Sequence, residues 1–302
     1  AKNLLALIEP KMLILIKYEF WFNLLNACHQ SKIPTFLVSG IFRKDQIFFK
    51  SYGRSFLKVL SNMEHLFVQR DYDKELLSGK NFSNVTVLGD SRIDRVIEIS
   101  KSEFEDEHLN SFTSNANLVL IAGSSWPSEE KMLSEIREEL HKEQIKLIIV
   151  PHEVDESHIE SIQQYFPNSI MFSKSDKNLA SKDILIIDKI GLLSKIYRYG
   201  QIAIIGGGFG KGIHNILEPA AYGLPILIGP NWKKFEEAHQ LINLNTAFEF
   251  TDSAKLLKII RQLCDDPTLR NQIKEKLNKY INTNQGVSNK FLSYLEANHY
   301  LD

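Results

Sequence analysis

A buried strand that ends in a cluster of glycines carries the clearest chemical pattern in the chain. Five glycines fall within seven positions after Ile205, from Gly206 to Gly212, and a helix is predicted soon afterwards. Glycine permits positive φ and lets a ligand approach the backbone closely, and free N–H groups at a helix start suit a phosphate. Five glycines in one turn exceed what packing requires, so we expect this turn to bind a phosphorylated ligand.

The spacing of these glycines excludes two common nucleotide sites. No register gives G-x-G-x-x-G and none gives G-x-x-x-x-G-K-[ST], so neither a dinucleotide fingerprint nor a P-loop is present. Glu218 follows in the next helix, where its carboxylate could accept two hydrogen bonds from the 2′,3′-diol of a ribose. The pattern therefore indicates a nucleotide-sugar site. The alternative is a tight strand-to-helix turn with Glu218 as a solvated helix residue.

Hydroxyl groups follow a second apolar strand. Ser124 and Ser125 come at its end, where hydroxyl and backbone N–H groups can bind oxyanions. An N-cap at Ser128, with Glu129 and Glu130 in the first turn of a helix, explains part of the same sequence without a ligand.

Two charged positions follow strands in the first third of the chain. Arg92 stands between Asp90 and Asp94, where it could bind an anionic carboxylate of a substrate. A surface ion-pair cluster that adds little stability is the alternative. Glu19 follows an apolar strand, so its carboxylate needs partners. It is either a supporting catalytic group or a cap for the next helix.

Alternating strands and helices must position these groups. Continuous apolar runs predict strands that are buried on both faces, and helical patterns between them give the βαβ order of a parallel sheet. We predict an α/β fold with two Rossmann-like, doubly wound domains, the first of them incomplete. The predicted strands are 12–16, 35–38, 65–68, 85–88, 118–122, 146–150, 169–172, 184–187, 202–205, 225–228 and 247–250.

A polar, acidic segment marks the predicted domain boundary. We predict an N-terminal domain over 1–99, a linker over 100–116, a C-terminal domain over 117–285 and a final helix over 286–302. The final helix is expected to pack back on the first domain. Doubly wound sheets bind ligands in the crevice at the carboxyl ends of their strands, so the chemistry is expected at that edge.

Composition excludes several classes of protein. The formal net charge of −1 argues against a nucleic-acid binder that relies on a basic field. Two cysteines, without CxxC or HExxH patterns, argue against a disulfide scaffold or a zinc site. The sequence has no uninterrupted run of about 18 apolar residues that would predict a transmembrane helix. We expect no metal, no cofactor and no nucleic-acid partner.

The motifs follow one another in a recognisable order. The segments are EFWFN at 19–23, GDSRID at 89–94, AGSSWPSEE at 122–130, VPH at 150–152, IGL at 190–192, GGG at 206–208, GIHNILE at 212–218, GLP at 223–225 and GP at 229–230. This ordered set resembles the bacterial transferases of 3-deoxy-D-manno-octulosonic acid (Kdo), which are GT-B glycosyltransferases specific for lipid A. The family patterns are E-L-W-P-N, G-N-x-K-x-D, A-x-S-T-x-x-x-E-E, V-P-R-H, M-G-E, G-G-S, G-G-H-N-x-L-E, G-x-P and G-P.

The resemblance implies a site for the donor CMP-Kdo, mostly on the second domain. The reaction implied is a single inverting displacement at the anomeric carbon of Kdo, without a metal. A carboxylate takes the proton from a hydroxyl of the lipid A precursor, and CMP leaves. With the candidates above, the expected substrate-binding residues are Arg92, Ser124, Ser125, Pro151, His152, Ile190, Gly191, Leu192, Gly207, Gly208, Gly212, His214, Asn215, Ile216, Leu217 and Glu218.

The chain departs from the family pattern at several positions. His152 replaces the family's arginine, so the phosphate charge is neutralised less fully or with help from Lys211; an ordinary strand-end histidine is the alternative. Lys17 replaces the first glutamate of the family's E-T-E-L-W, which leaves Glu19 alone. Ile213 replaces the second glycine of G-G-H.

The family's main catalytic base is a glutamate in a G-E segment, which is expected before residue 1. We therefore expect this chain to bind CMP but to be inactive, or nearly so, as a transferase. The resemblance also implies association with the cytoplasmic face of the inner membrane, peripheral or anchored through the missing N-terminal part.

Two other functions stay open on the sequence. One is a different GT-B enzyme that uses a UDP-sugar, as a transferase or an epimerase. The other is a non-catalytic scaffold that binds a nucleotide sugar or a partner.

Overall fold

The computed structural model describes residues 1–175 and 179–301. The chain divides into two compact units, Ala1–Asp94 with Asn284–Asp302, and Arg95–Thr283. The division therefore precedes the predicted linker at 100–116, which belongs to the second unit. Leu109 and Phe112 of that segment are fully buried, so hydrophobic burial fixes it to the second unit.

The first unit is built on a parallel four-stranded sheet in the order β1-β2-β3-β4. Its strands are β1 (Leu13–Ile16), β2 (Thr35–Gly40), β3 (His65–Val68) and β4 (Val85–Val87). The helices of this part of the chain are α1 (Lys2–Ile8), α2 (Phe22–Gln30), α3 (Arg54–Leu60), α4 (Asp71–Ser78) and α5 (Arg92–Lys101), the last of which starts at the division between the units. All residues of β2 are buried, as expected for a central parallel strand.

The second unit is built on a parallel seven-stranded sheet in the order β11-β10-β9-β5-β6-β8-β7. Its strands are β5 (Leu118–Ser125), β6 (Ile145–Pro151), β7 (Ile170–Met171), β8 (Ile184–Ile186), β9 (Ile202–Ile205), β10 (Ile226–Ile228) and β11 (Ala247–Glu249). Its helices are α6 (Glu107–Thr113), α7 (Pro127–Glu135), α8 (Arg137–Lys142), α9 (Glu156–Tyr165), α10 (Leu193–Ile196), α11 (Leu217–Ala221), α12 (Glu236–Asn243), α13 (Ser253–Asp265) and α14 (Pro267–Asn284).

The order of these strands creates a topological switch point between β5 and β9. From β5 the chain builds outward through β6, β7 and β8 on one side, then returns to β9 on the other side of β5 and continues to β10 and β11. Because all pairs are parallel, the carboxyl ends of β9, β5, β6 and β8 lie in a row. Doubly wound sheets bind ligands at such a point.

The last helix, α15 (Val287–Ala297), belongs to the first unit. Its residues Val287, Phe291 and Leu295 form one buried cluster with Phe36 and Phe67 of the sheet. This cluster adds an apolar layer to one face of the first sheet.

Asp94 connects the start of α15 to the body of the first unit. The backbone N–H groups of Gly286 and Ser288 donate to its two carboxylate oxygens, at 2.6 and 2.7 Å. Asp94 therefore caps a helix that lies far along the chain, which stabilises the N-terminus of that helix.

Within the described ranges, no helix combines the length and the apolar character needed to span a membrane.

Candidate functional site

The glycine turn after β9 packs against neighbouring backbone at the switch point. A Cβ atom on Gly206 would lie 1.9 Å from the carbonyl oxygen of Ser124. A Cβ atom on Gly208 would lie 2.6 Å from the backbone of Gly229. Both positions therefore require glycine because the chain passes too close for any side chain.

Two further glycines of the turn have backbone conformations that other residues rarely adopt. Gly207 has φ 86° and Gly212 has φ 143°. Gly210 differs, since its Cβ would meet only the carbonyl oxygen of Gly207, at 3.7 Å. Close packing at two positions and backbone conformation at two others therefore account for four of the five glycines. For these four, the expectation that the glycines exceed what the turn itself requires is wrong.

A buried carboxyl group lies next to this turn. Glu129 is 1% exposed, and its Oε2 accepts the backbone N–H of Trp126 at 3.2 Å. Burial raises the pKa of Glu129, while backbone N–H groups, including those of Gly207 and Phe209, oppose the rise. The glycine turn thus lies next to a buried protein carboxyl group, which the sequence did not indicate.

The same glutamate shows where α7 begins. Trp126 is the N-cap, Pro127 is the first helical residue, and Glu129 is the third, as in a capping box. The predicted N-cap at Ser128 is therefore wrong, because proline fits the first helical position and the carboxylate bonds back to Trp126.

The two serines at the end of β5 differ in what their hydroxyl groups can do. Ser124 is half-buried and has φ 50°, at a bulge in the pairing of β5 with β6. Ser125 is buried and donates its hydroxyl to Glu130 at 2.8 Å. Glu130 also bonds to Nε2 of His158 at 2.9 Å. The Ser125 hydroxyl is thus held inside the protein, whereas Ser124 stays at the sheet edge.

Three aromatic rings from three adjacent strand ends stack at the switch point. Trp126 follows β5, His152 follows β6, and His214 follows the glycine turn after β9. The ring centroids of His152 and His214 are 4.2 Å apart, and those of Trp126 and His152 are 4.9 Å apart. Nε1 of Trp126 donates to Nε2 of His214 at 2.8 Å. We call these three residues the ring stack.

The ring stack brings together two of the predicted donor-binding residues. His152 is exposed beside buried Pro151, and His214 is half-buried. Burial, followed by the charge of His152, lowers the pKa of His214. His214 is therefore mainly neutral near neutral pH.

Glu218 lies in the first turn of α11, the short helix that follows the glycine turn. Asn215 donates its side-chain Nδ2 to Oε1 of Glu218 at 2.9 Å, and its Oδ1 accepts the N–H of Leu217 at 3.3 Å. Burial raises the pKa of Glu218, and the Asn215 hydrogen bond opposes this rise. Ile216 and Leu217 are fully buried, so their side chains serve the core.

Buried Tyr197 lies near these groups, although no pattern in the sequence indicated it. A Cβ atom on Gly123 would lie 2.1 Å from its hydroxyl oxygen. Burial, together with the negative charge of Glu218, raises its pKa well above the ordinary value. The tyrosine fills space under the switch point.

The segment 190–192 lies in the turn between β8 and α10. Ile190 is 84% exposed, and Gly191 has φ 84°. Leu192 is half-buried. These residues stand at the same sheet edge as the glycine turn, two strands beyond β5. Lys211 is exposed on the glycine turn itself.

The remaining candidates belong to the first unit. Arg92 bonds to Asp90 at 2.6 Å, and Nζ of Lys17 lies 3.8 Å from the same carboxylate. Burial alone would raise the pKa of Asp90, but the hydrogen bonds and charges of Arg92 and Lys17 bring it below its ordinary value. These three residues form an ion-pair cluster at the strand ends of the first sheet.

Glu19 is exposed after β1 and accepts a hydrogen bond from Nε1 of Trp21 at 2.8 Å. The N-cap of α2 is Trp21, without a side-chain cap. The helix-cap interpretation of Glu19 is therefore wrong, since its carboxylate bonds to the indole and not to the helix backbone.

Among the described residues, one group of possible metal ligands comes together. It contains Glu153, Asp155 and His158, whose ligand atoms lie within 4.8 Å of one another. His158 already bonds to Glu130 and to the carbonyl oxygen of Glu153. Glu153 and Asp155 precede α9, and His158 lies in its first turn.

Comparison with known proteins adds sequence relationships to this geometry. A family model described as Glycos_transf_N, 3-deoxy-D-manno-octulosonic-acid transferase (kdotransferase), matches residues 1–95. The 3-deoxy-D-manno-octulosonic acid transferase of Rickettsia bellii is 25% identical over 304 residues, covering 95% of this chain and 70% of that protein. The transferase of Aquifex aeolicus is 26% identical and covers 87% of this chain and 68% of that protein.

The chain is related to the Kdo transferases, which are glycosyltransferases. It spans about two thirds of the length of the Kdo transferases that it matches. The solved C-terminal CMP-Kdo binding domain of WaaA from Acinetobacter baumannii is similar in fold, with a TM-score of 0.52 and 22% identity. The matched region covers 62% of this chain and 96% of that domain.

The fold is also shared beyond the Kdo transferases. A UDP-GlcNAc 2-epimerase from Neisseria meningitidis, solved with UDP-GlcNAc bound, has a TM-score of 0.62 and 14% identity, covering 90% of this chain and 73% of that protein. These likenesses confirm the predicted GT-B type with two Rossmann-like units.

Proposed function

We propose that this protein is a Kdo transferase whose second unit binds CMP-Kdo. The observation that carries the proposal is the convergence at the β5/β9 switch point. Ser124 lies at the end of β5, His152 follows β6, and His214 and Glu218 come after β9. Three adjacent strand ends therefore supply the four residues at one sheet edge. Sequence similarity to Kdo transferases over 95% of the chain supports the choice of substrate.

In this proposal Glu218 binds the ribose. Asn215 bonds to Oε1 of Glu218 and holds the carboxylate in place. A held carboxylate can accept hydrogen bonds from both ribose hydroxyls without losing side-chain entropy on binding. The exposed turn at Ile190, Gly191 and Leu192 contributes backbone contacts to the base.

The phosphate is expected near the ring stack and not deep within the glycine turn. The backbone of Gly207 and Phe209 already lies near the buried carboxyl group of Glu129, and α11 spans only five residues, so its dipole is small. The donors proposed for the phosphate are the histidine rings of the stack, the backbone beside Ser124 and the exposed ammonium group of Lys211.

The proposed reaction is a metal-free, inverting transfer of Kdo to a lipid A precursor at the cytoplasmic face of the inner membrane. A carboxylate accepts the proton of the acceptor hydroxyl, the new bond forms at the anomeric carbon of Kdo, and CMP departs with the bonding electron pair. Glu19 is proposed as a supporting group for this step.

Titration calorimetry with CMP, UMP and UDP tests the proposal. We expect CMP to bind most tightly, and Glu218→Ala to weaken it by about tenfold, as the loss of a hydrogen bond to a charged group predicts. Glu160→Ala, an exposed change on α9, is the control and should bind CMP like the unmodified protein.

Two outcomes would favour the other functions. A clear preference for UDP would support a UDP-sugar enzyme, which the fold shared with a UDP-GlcNAc 2-epimerase also allows. Nucleotide binding that is unaffected by Glu218→Ala would support a scaffold without the proposed site.

A further inference from the structure

The ring stack contains a hydrogen bond whose direction defines a protonation state. An indole Nε1–H is a donor only. Nε2 of His214, 2.8 Å away, must therefore accept, and it carries no proton. In a neutral imidazole the proton then lies on Nδ1.

Packing presents the two edges of the His214 ring to different surroundings. The edge with Nε2 and Cδ2 faces Gly207, where a Cβ atom would come within 3.2 and 3.1 Å of these atoms. Nδ1 lies on the opposite edge. Among the described residues, its N–H has no hydrogen-bond acceptor, so it is available to a ligand.

The rest of the ring stack restricts rotation of this imidazole. The ring of His152 covers it at 4.2 Å with an interplanar angle of 25°. The backbone N–H of His214 is bonded to the carbonyl oxygen of Gly206 at 3.1 Å. Flipping the ring would break the indole bond and place a C–H opposite the donor.

We propose that Trp126 is a positioning residue that holds His214 as the Nδ1–H tautomer, so that this N–H donates to an anionic oxygen of the nucleotide. The ligand part of the proposal rests on the proposed function. The tautomer itself is a property of the free protein, and it can be measured without a ligand.

Long-range ¹H–¹⁵N correlation spectra of histidine-labelled protein test the tautomer directly. At about pH 8, well above the ordinary histidine pKa of about 6.5, His214 should show a protonated Nδ1 and an unprotonated Nε2. Trp126→Phe keeps an aromatic ring but removes the donor, so the proton should move in part to Nε2. A protonated Nε2 in the unmodified protein would overturn the proposal, even if the variant failed to fold.

Calorimetry with CMP tests the contact with the ligand. Trp126→Phe should weaken CMP binding by about 3- to 10-fold, the range expected for one misplaced hydrogen bond. Trp232→Phe is the matched control, since it removes an indole bond of 2.6 Å to Glu249 in the same unit. Its affinity for CMP should stay within about twofold.

The outcomes separate the two proposals. If the unmodified protein binds no CMP, the proposed function fails while the spectra still decide the tautomer. If CMP binds and Trp126→Phe changes the tautomer without changing the affinity, His214 does not donate to the ligand and the inference fails.

Discussion

At the scale of single residues, the polar side chains at the switch point form two groups, which differ in where their polar atoms are directed. Ser125 and Glu129 bond inside the protein. Glu218 and His214 are each held by one protein partner on one edge. Within the part of the chain that the structure describes, Oε2 of Glu218 and Nδ1 of His214 have no hydrogen-bond partner. These two residues are therefore the best candidates for ligand contact.

Glu218→Gln tests the ribose contact more finely than removal of the side chain. A carboxylate can accept from both ribose hydroxyls, whereas a carboxamide offers one acceptor atom. We expect the unmodified protein to bind CMP about tenfold more tightly than 2′-deoxy-CMP, and the variant to discriminate by about twofold or less. The measurement is calorimetry with both nucleotides, with Glu160→Gln as the control.

The pH dependence of this discrimination follows from the pKa of Glu218. Burial raises that pKa, and protonation removes one acceptor. Discrimination should therefore decline as the pH falls toward the raised pKa, in the unmodified protein but not in the variant. Equal discrimination by both proteins would argue against a ribose contact.

Much of the residue-level site follows from local sequence, but the ring stack does not. The proximity of Asn215 and Glu218 follows from their spacing near a helix start. Trp126 and His214 are 88 positions apart, so only the strand order brings them together. The burial of Glu129, next to the exposed positions Pro127 and Ser128, depends on the fit of the glycine turn against α7.

At the scale of elements, the strands are the best predicted part of the fold. Apolar runs predicted strands at 146–150 and 202–205, and the structure has Ile145–Pro151 and Ile202–Ile205. Buried parallel strands consist almost entirely of such runs. The start of α7 was predicted less well, because a capping residue is defined by backbone bonds that the sequence does not show.

The glycine turn allows a matched test of packing. Gly206→Ala would place a methyl group 1.9 Å from the carbonyl oxygen of Ser124, so the free energy of unfolding should fall by about 3 kcal/mol. Gly210→Ala changes the same residue type in the same turn, where the nearest atom is 3.7 Å away. It should change stability by no more than about 0.5 kcal/mol.

Urea denaturation of both variants provides the measurement. A large loss of stability in Gly210→Ala, or none in Gly206→Ala, would show that the turn is packed differently. Gly210 lies on the exposed side of the turn. An effect of Gly210→Ala on nucleotide binding can therefore be measured without a large change in stability.

At the scale of the whole molecule, the two units differ in what they offer a nucleotide. The second unit contains the switch point, the ring stack and Glu218. The strand ends of the first sheet carry the Lys17, Asp90 and Arg92 ion-pair cluster. Binding of the nucleotide should therefore stabilise the second unit more than the first unit.

Hydrogen exchange with and without CMP tests this assignment. A ligand at about 100 times its Kd stabilises the state that binds it by about 2.7 kcal/mol. Amides at 123–126, 150–152 and 206–218 should exchange more slowly with CMP, while those of β2 and β3 keep their rates. Slowing confined to β2 and β3 would place the nucleotide on the first unit instead.

The return of α15 to the first sheet has a consequence for how the protein is made. The apolar face around Phe36 and Phe67 receives its cover from residues after 284, which leave the ribosome only after all of 95–283. At roughly 5–20 residues per second, this delay is about ten to forty seconds. During that time the nascent first sheet exposes aromatic side chains, and we expect it to depend on chaperones until translation reaches its last helix.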